Sequence, residues 1–129
     1  MKRKFSRSWV SSTQPRKQRK FRLNAPLHVR QKLMGCRLEK KLAAELKSRS
    51  LPVRKGDRVM IMRGSFKKLP GEVTEVNLKK LAVYVDCAKR KKSSGQEVQV
   101  GIDPSNLMII EIRKDDKKRQ KAIERKSKK

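Results

Sequence analysis

The chain has 129 residues and a mass of 15.0 kDa, with 38 Lys and Arg against 12 Asp and Glu, a formal charge of +26. Self-repulsion on that scale opposes compaction until a polyanion neutralises it, so nucleic acid or an anionic membrane is the expected partner. With 35% hydrophobic and 4% aromatic residues, a large core is excluded and one small domain with basic extensions is what the chain can form.

The charge is uneven. Residues 1–50 carry 16 basic and 2 acidic side chains, residues 51–112 carry 12 and 7, and residues 113–129 carry 10 and 3. The middle is therefore the part able to fold by itself. The division expected is a basic arm over 1–24, short helices over 25–50, a β domain over 51–112 and a basic helix or tail over 113–129.

Residues 1–24 are rich in Lys, Arg, Ser and Gln and show no hydrophobic period. Phe5, Trp9 and Phe21 are scattered among the cations. Two readings stand for them: they pack back on the domain, or they stack on splayed bases while the cations meet phosphates. The first residues are basic but no apolar run follows, so a signal peptide is not expected.

"NAPLHVRQKLMG" reads as a helix, with Asn24 available as cap, Pro26 in the first turn and Gly35 as terminator. A second helix fits "LEKKLAAELKSRS", with Leu38, Leu42 and Leu46 spaced by four. Pro52 breaks that pattern and the period drops to two. "GDRVMIMR" reads as a strand with Val59 and Ile61 on one face. Leu69-Pro70-Gly71-Glu72 has the residues of a type II turn.

"GEVTEV" and "KLAVYVD" give two more strands, the polar loop "AKRKKSSGQ" turns at Ser94-Gly95, "EVQVG" gives a fourth strand, and "LMIIEI" the fifth after "DPSN". Five short strands without room for crossover helices argue for a mainly β fold, a small antiparallel barrel. The tail reads as a basic helix that frays. Asp115 and Asp116 suit its N-terminus, and Asp115 stands four residues before Arg119.

Cys36 and Cys87 form no CxxC pair and, with His28 as the single histidine, cannot fill a zinc site, so two reduced thiols and no metal are expected. A Ser-His-Asp arrangement is implausible around His28. Asp57, Glu72, Glu75 and Asp86 read as solubilising partners of nearby cations, and no phosphate-loop motif occurs. An enzyme and a cofactor are not expected. No run has the length of a membrane span and neither arm has a strong apolar face, which favours nucleic acid over membrane.

The run "VRKGDRVMIMRGSFKKLPGEVTEV" resembles a KOW motif, through Gly56-Asp57, Val59, Ile61, Gly64, Gly71, Val73 and Val76. The flanks "QPRKQRKFRLNAPLHVRQKLM", "RSLPVRKGD" and "VGIDPSNLMI" extend the likeness over about residues 14–125. Together they resemble the large-subunit ribosomal proteins of family twenty-four, in their archaeal and eukaryotic cytosolic form. The resemblance implies an SH3-like KOW barrel with basic extensions that binds large-subunit ribosomal RNA. It also implies a role early in subunit assembly, a place near the polypeptide exit tunnel of the cytoplasmic ribosome, and neighbouring ribosomal proteins as partners. No homo-oligomer is expected.

The RNA-binding residues expected are Arg16, Lys17, Arg19, Lys20, Arg22, His28 and Arg30 in the arm and first helix. To these are added Arg63, Ser65, Phe66, Lys67 and Lys68 in the KOW loop, and Lys89, Arg90, Lys91 and Lys92 in the long hairpin. One departure falls in the loop: the family usually has Lys-Gly after the aromatic, whereas here Lys67-Lys68 is followed by Leu69-Pro70. If that glycine has positive φ, Lys68 is strained unless the Pro-Gly turn supplies the reversal one step later. The loop is therefore expected to differ locally from relatives while the strands keep register. The alternatives are a KOW-type transcription elongation or regulatory protein, and a general RNA chaperone or histone-like condenser.

Overall fold

The structure, a computed structural model, describes residues 5–6, 9, 11–113 and 115–127. The extreme ends of the arm and tail, and Lys114, lie outside the described residues. In chain order the elements are α1 (Pro15–Asn24), α2 (Leu27–Leu33), β1 (Gly35–Leu38), α3 (Lys40–Glu45), β2 (Ser50–Pro52), β3 (Arg58–Ile61) and β4 (Pro70–Asn77). There follow β5 (Ala82–Lys91), β6 (Glu97–Ile102), a 3-10 turn (Pro104–Asn106), β7 (Leu107–Glu111) and α4 (Lys117–Ser127).

The second part of the arm, residues 15–24, is more ordered than its pattern implied. "PRKQRKFRLN" has no buried residue, yet it is helical as α1 with Pro15 in the first turn. Lys, Arg and Gln are good helix formers, and proline presets φ at a helix start. The next helix is shorter than expected: Pro26 sits at its N-cap and Met34 closes it. Gly35 does not end the helix but opens β1, where Cys36 and Leu38 are buried and Gly35 and Arg37 exposed. Leu38 thus belongs to a strand and not to the second helix, of which α3 keeps Leu42, with Leu46 as its C-cap. Pairing on both sides of β1 decides this over local helix preference.

All five predicted strands are present, and Val59 and Ile61 share the buried face of β3 as expected. The sheet has seven strands in the order β2-β1-β7-β3-β4-β5-β6. Its neighbours are antiparallel except β1 and β7, which run parallel with Arg37 opposite Met108. The ladders do not close into the expected antiparallel barrel. The edge of β7 that closure would use is taken by β1, which also covers a row of backbone groups that would otherwise invite pairing with another chain. Val59, Ile61, Val73, Val83, Val85, Leu107 and Ile109 are fully buried in one apolar cluster, joined by Met34, Cys36 and Leu51. Each such side chain contributes about 1.5–3 kcal/mol by leaving water.

The expected type II turn is absent. Pro70 and Gly71 are extended residues of β4, opposite Met60 and Val59. Gly71 is needed for space: a Cβ there would lie 2.6 Å from Val85 Cγ1 and 2.7 Å from Cys87 Sγ, and would collide with the Asp86 carboxylate. That carboxylate folds back over β4 and accepts the Glu72 and Cys87 amides at 2.9 and 2.7 Å.

The largest difference concerns Asp57 and the tail. Asp57 is fully buried and does not act as a solubilising surface carboxylate. Arg119 Nη1 and Nη2 donate to its Oδ1 and Oδ2 at 2.6 and 2.7 Å, and the amides of Arg54 and Arg113 donate to the same oxygens at 2.8 and 3.2 Å. Arg119 Nη2 also reaches the Pro52 carbonyl at 3.2 Å. Arg119 therefore does not pair with Asp115, which accepts from Arg113 instead. Asp116 accepts the amides of Lys118 and Arg119 and starts α4 as expected, and it pairs with Arg54.

Removing one partner of a buried ion pair leaves its other charge uncompensated. Asp57→Ala is expected to lower the unfolding free energy by about 3–5 kcal/mol in urea titration. It should also make α4 cleavable by trypsin under native conditions. A loss under about 1 kcal/mol with α4 still protected would contradict the reading of Asp57 and Arg119 as a joint between sheet and tail.

Candidate nucleic-acid interface

The expected cations are carried by separate elements that surround the core and contribute little to it. Arg16, Lys17, Arg19, Lys20 and Arg22 are all exposed on α1, which has no acidic residue in its first turn. The arm's aromatics pack on one another: Trp9 stacks on Phe21 with centroids 4.2 Å apart, and Phe5 lies 5.1 Å from the same ring. His28 is exposed in the first turn of α2.

Arg30 is bound differently from the other arm cations. Its Nε donates to the Ala25 carbonyl at 2.9 Å, Nη2 to Leu23 at 2.5 Å and Nη1 to Lys79 at 2.6 Å. The guanidinium thus fastens the end of α1 to the β4–β5 turn. Five good donors in a fixed fork suit arginine to this, where lysine would serve less well.

Between β3 and β4 the loop reverses at residues 62–69. Gly64 has φ +88° and Lys68 φ +68°, so the reversal is made inside the loop and not by Pro70-Gly71. Lys68 N donates to the Ile61 carbonyl at 2.8 Å, which holds the lysine in this left-handed conformation. Arg63, Ser65, Lys67 and Lys68 are exposed, whereas Phe66 is half-buried against the core. Phe66 therefore anchors the loop while its neighbours point outward.

Lys89, Arg90 and Lys91 are not in a loop; they continue β5, opposite Gln99, Val98 and Glu97. The turn proper is at Lys92–Gln96, with Gly95 at φ +82°. From Lys89 to Gln99 every residue is exposed on both faces of the ribbon. A two-stranded ribbon without a covered face projects from the core. Lys89 meets Glu97 at 3.7 Å.

Sequence reasoning missed a fourth basic feature. A cleft of about 500 Å³ between the Arg54–Lys55 turn and the start of α4 gathers Arg54, Lys55, Arg113, Lys117, Lys118 and Arg119 with Asp115 and Asp116. Arg54 and Lys55 are far in the chain from the other four, and the two groups meet through the Asp57–Arg119 pair. The pair of carboxylates before the last helix was the available signal, but it read only as a helix start.

Among the described residues no three His, Cys, Asp or Glu side chains converge as a metal site, and no helix is long and apolar enough to cross a membrane. Cys36 and Cys87 are free thiols. Burial, aided by the charges of Asp57 and Asp103, pushes the Cys36 thiol up to about 12. Partial burial and then the Asp86 carboxylate raise Cys87, against a lowering backbone hydrogen bond.

Residues 12–126 match the family that joins the eukaryotic ribosomal proteins L26 with their archaeal counterparts. The chain belongs to that family. A curated relative, the large ribosomal subunit protein uL24 of Pyrobaculum islandicum, is 49% identical over 120 residues, covering 93% of this chain and 98% of its own length. The match takes in α1, the loop, the hairpin and most of α4, so the basic extensions are part of the family's own span. This makes the chain a ribosomal protein, and neither comparison supports the transcription-elongation alternative.

Two outcomes follow for residues of this family member. A non-glycine residue in the left-handed region carries roughly 1 kcal/mol of strain. Lys68→Gly is therefore expected to leave stability unchanged or raise it by up to about 1 kcal/mol in urea titration, the entropy of glycine offsetting part of the gain. A clear loss would show that Lys68 is not strained. For the thiols, a pKa of about 12 leaves roughly one Cys36 in 10⁴ ionised at pH 8. Iodoacetamide should then modify Cys87 slowly and Cys36 only after denaturation; rapid native labelling of Cys36 would refute its burial.

Proposed function

We propose that this ribosomal protein is a structural part of the large subunit of the cytoplasmic ribosome. It binds large-subunit ribosomal RNA, joins early in assembly and lies near the polypeptide exit tunnel. In this reading the sheet is the family's SH3-like KOW unit, extended by β1 and β2. The arm of residues 1–24, the helices of 25–50 and the tail of 113–129 attach to it.

The observation that carries the reading is the placement of cations. Arg16, Lys17, Arg19, Lys20 and Arg22 on α1, Arg63, Lys67 and Lys68 in the loop, and Arg90, Lys91 and Lys92 on the hairpin are exposed on elements that reach away from the core. Each set meets phosphates where RNA segments converge, with Ser65 and His28 as hydrogen-bonding neighbours. Arg30 and Phe66 act by holding α1 and the loop in place, through the carbonyl clamp and the core contact described above. Neutralising about eight phosphates would give a log–log salt slope of roughly −6 to −7.

The test is sedimentation of the tagged chain. It is expected to co-migrate with large subunits through a high-salt wash, and release into the free pool at moderate salt would contradict the reading. A chain lacking residues 1–22 should assemble poorly while its sheet stays folded, since no described residue of that segment belongs to the buried cluster. Unfolding of the truncated chain would overturn that division.

A further inference from the structure

One part of the surface has the opposite chemistry to the rest. Between α3, β7 and α4 runs a groove of about 730 Å³. Its floor includes Leu42, Leu46, Ile112 and Ile123, half-buried side chains that pack on the core and still face the groove. Glu39, Glu45, Glu111 and Glu124 stand around it, and Lys41 is the one cation among the described lining residues. In a chain with 12 acidic residues, a third of them meet here. Glu111 approaches Arg58 at 3.6 Å, yet its side chain remains 66% exposed.

Carboxylates around an apolar floor repel phosphate, so this face turns away from RNA, and an anionic membrane is disfavoured for the same reason. A second copy of a chain at +26 is disfavoured by its net charge. The complement is a segment whose apolar side chains fill the floor while its Lys and Arg meet the glutamates. We propose that the groove docks a basic, amphipathic segment of a neighbouring protein in the assembled large subunit. The proposal rests on the subunit reading above but not on which residues face RNA. Charge complementarity sets the register of the segment, and the leucines and isoleucines supply most of the affinity.

The test uses large subunits from cells whose sole copy of the protein carries Lys41→p-benzoylphenylalanine, an exposed position on the groove. A parallel strain carries the same photoreactive group as Arg19→p-benzoylphenylalanine in α1. After irradiation, the Lys41 position is expected to crosslink a second protein within a Lys- and Arg-rich stretch, while the Arg19 position crosslinks ribosomal RNA. Adding Glu39→Lys and Glu45→Lys should cut the protein crosslink by at least about fivefold with incorporation into subunits unchanged. Crosslinks from position 41 to RNA, to another copy of this chain or to nothing would overturn the proposal. So would a yield insensitive to charge reversal. Failure of the functional reading is seen separately, as loss of the Arg19 crosslink to RNA.

Discussion

The Asp57 carboxylate, buried at the start of β3, receives two guanidinium nitrogens of Arg119 and the amides of Arg54 and Arg113. Both oxygens are filled from three separate parts of the chain. An isolated charge at zero exposure would be prohibitively costly, so the carboxylate holds its partners wherever the sheet is folded. The tail helix, with only Ala122 and Ile123 as apolar residues to bury, is fixed in this way. Its start then closes the basic cleft with Arg54 and Lys55, and its Ile123 side forms one wall of the acid-rimmed groove.

A division of labour follows from the charge. The apolar cluster draws on β strands whose own charge is small, and the cations of α1, the β3–β4 loop and the β5–β6 ribbon lie outside it. Concentrating cations on projecting elements lets the core form despite a net +26, because like charges stay separated by solvent until an anion arrives. Arg30 shows the limit of reading charge alone. It is a cation in a basic arm, yet all three nitrogens that donate are directed at backbone carbonyls.

Period-two alternation made the five strands from Arg58 to Glu111 legible, since Val59 with Ile61 and Val83 with Val85 alternate cleanly between core and solvent. β1 was not legible: four residues that fit a helix boundary become a strand only because β2 and β7 are there to pair with them. Pro70-Gly71 carried the residues of a turn, but the glycine serves a close approach to Asp86 that no local pattern encodes. Lys68 was legible as the strained position, and it is held at positive φ. Which of the expected site residues also hold the fold together, as Arg30 and Phe66 do, depends on contacts between distant segments. Asp57 and Arg119 stand 62 residues apart, and their pairing had no sequence signal beyond the residue types themselves.

The buried pair makes α4 part of the folded unit before any RNA is bound, and everything said of the tail depends on this. Amide hydrogen exchange on the free, full-length chain tests it most directly. Amides of Gln120–Ile123 should exchange at least about 100-fold more slowly than in an unstructured peptide, as ~3 kcal/mol of local stability requires, and raising the salt should change this little because a buried pair is weakly screened. Exchange of those amides at the unstructured rate while β3 and β7 remain protected would contradict the claim.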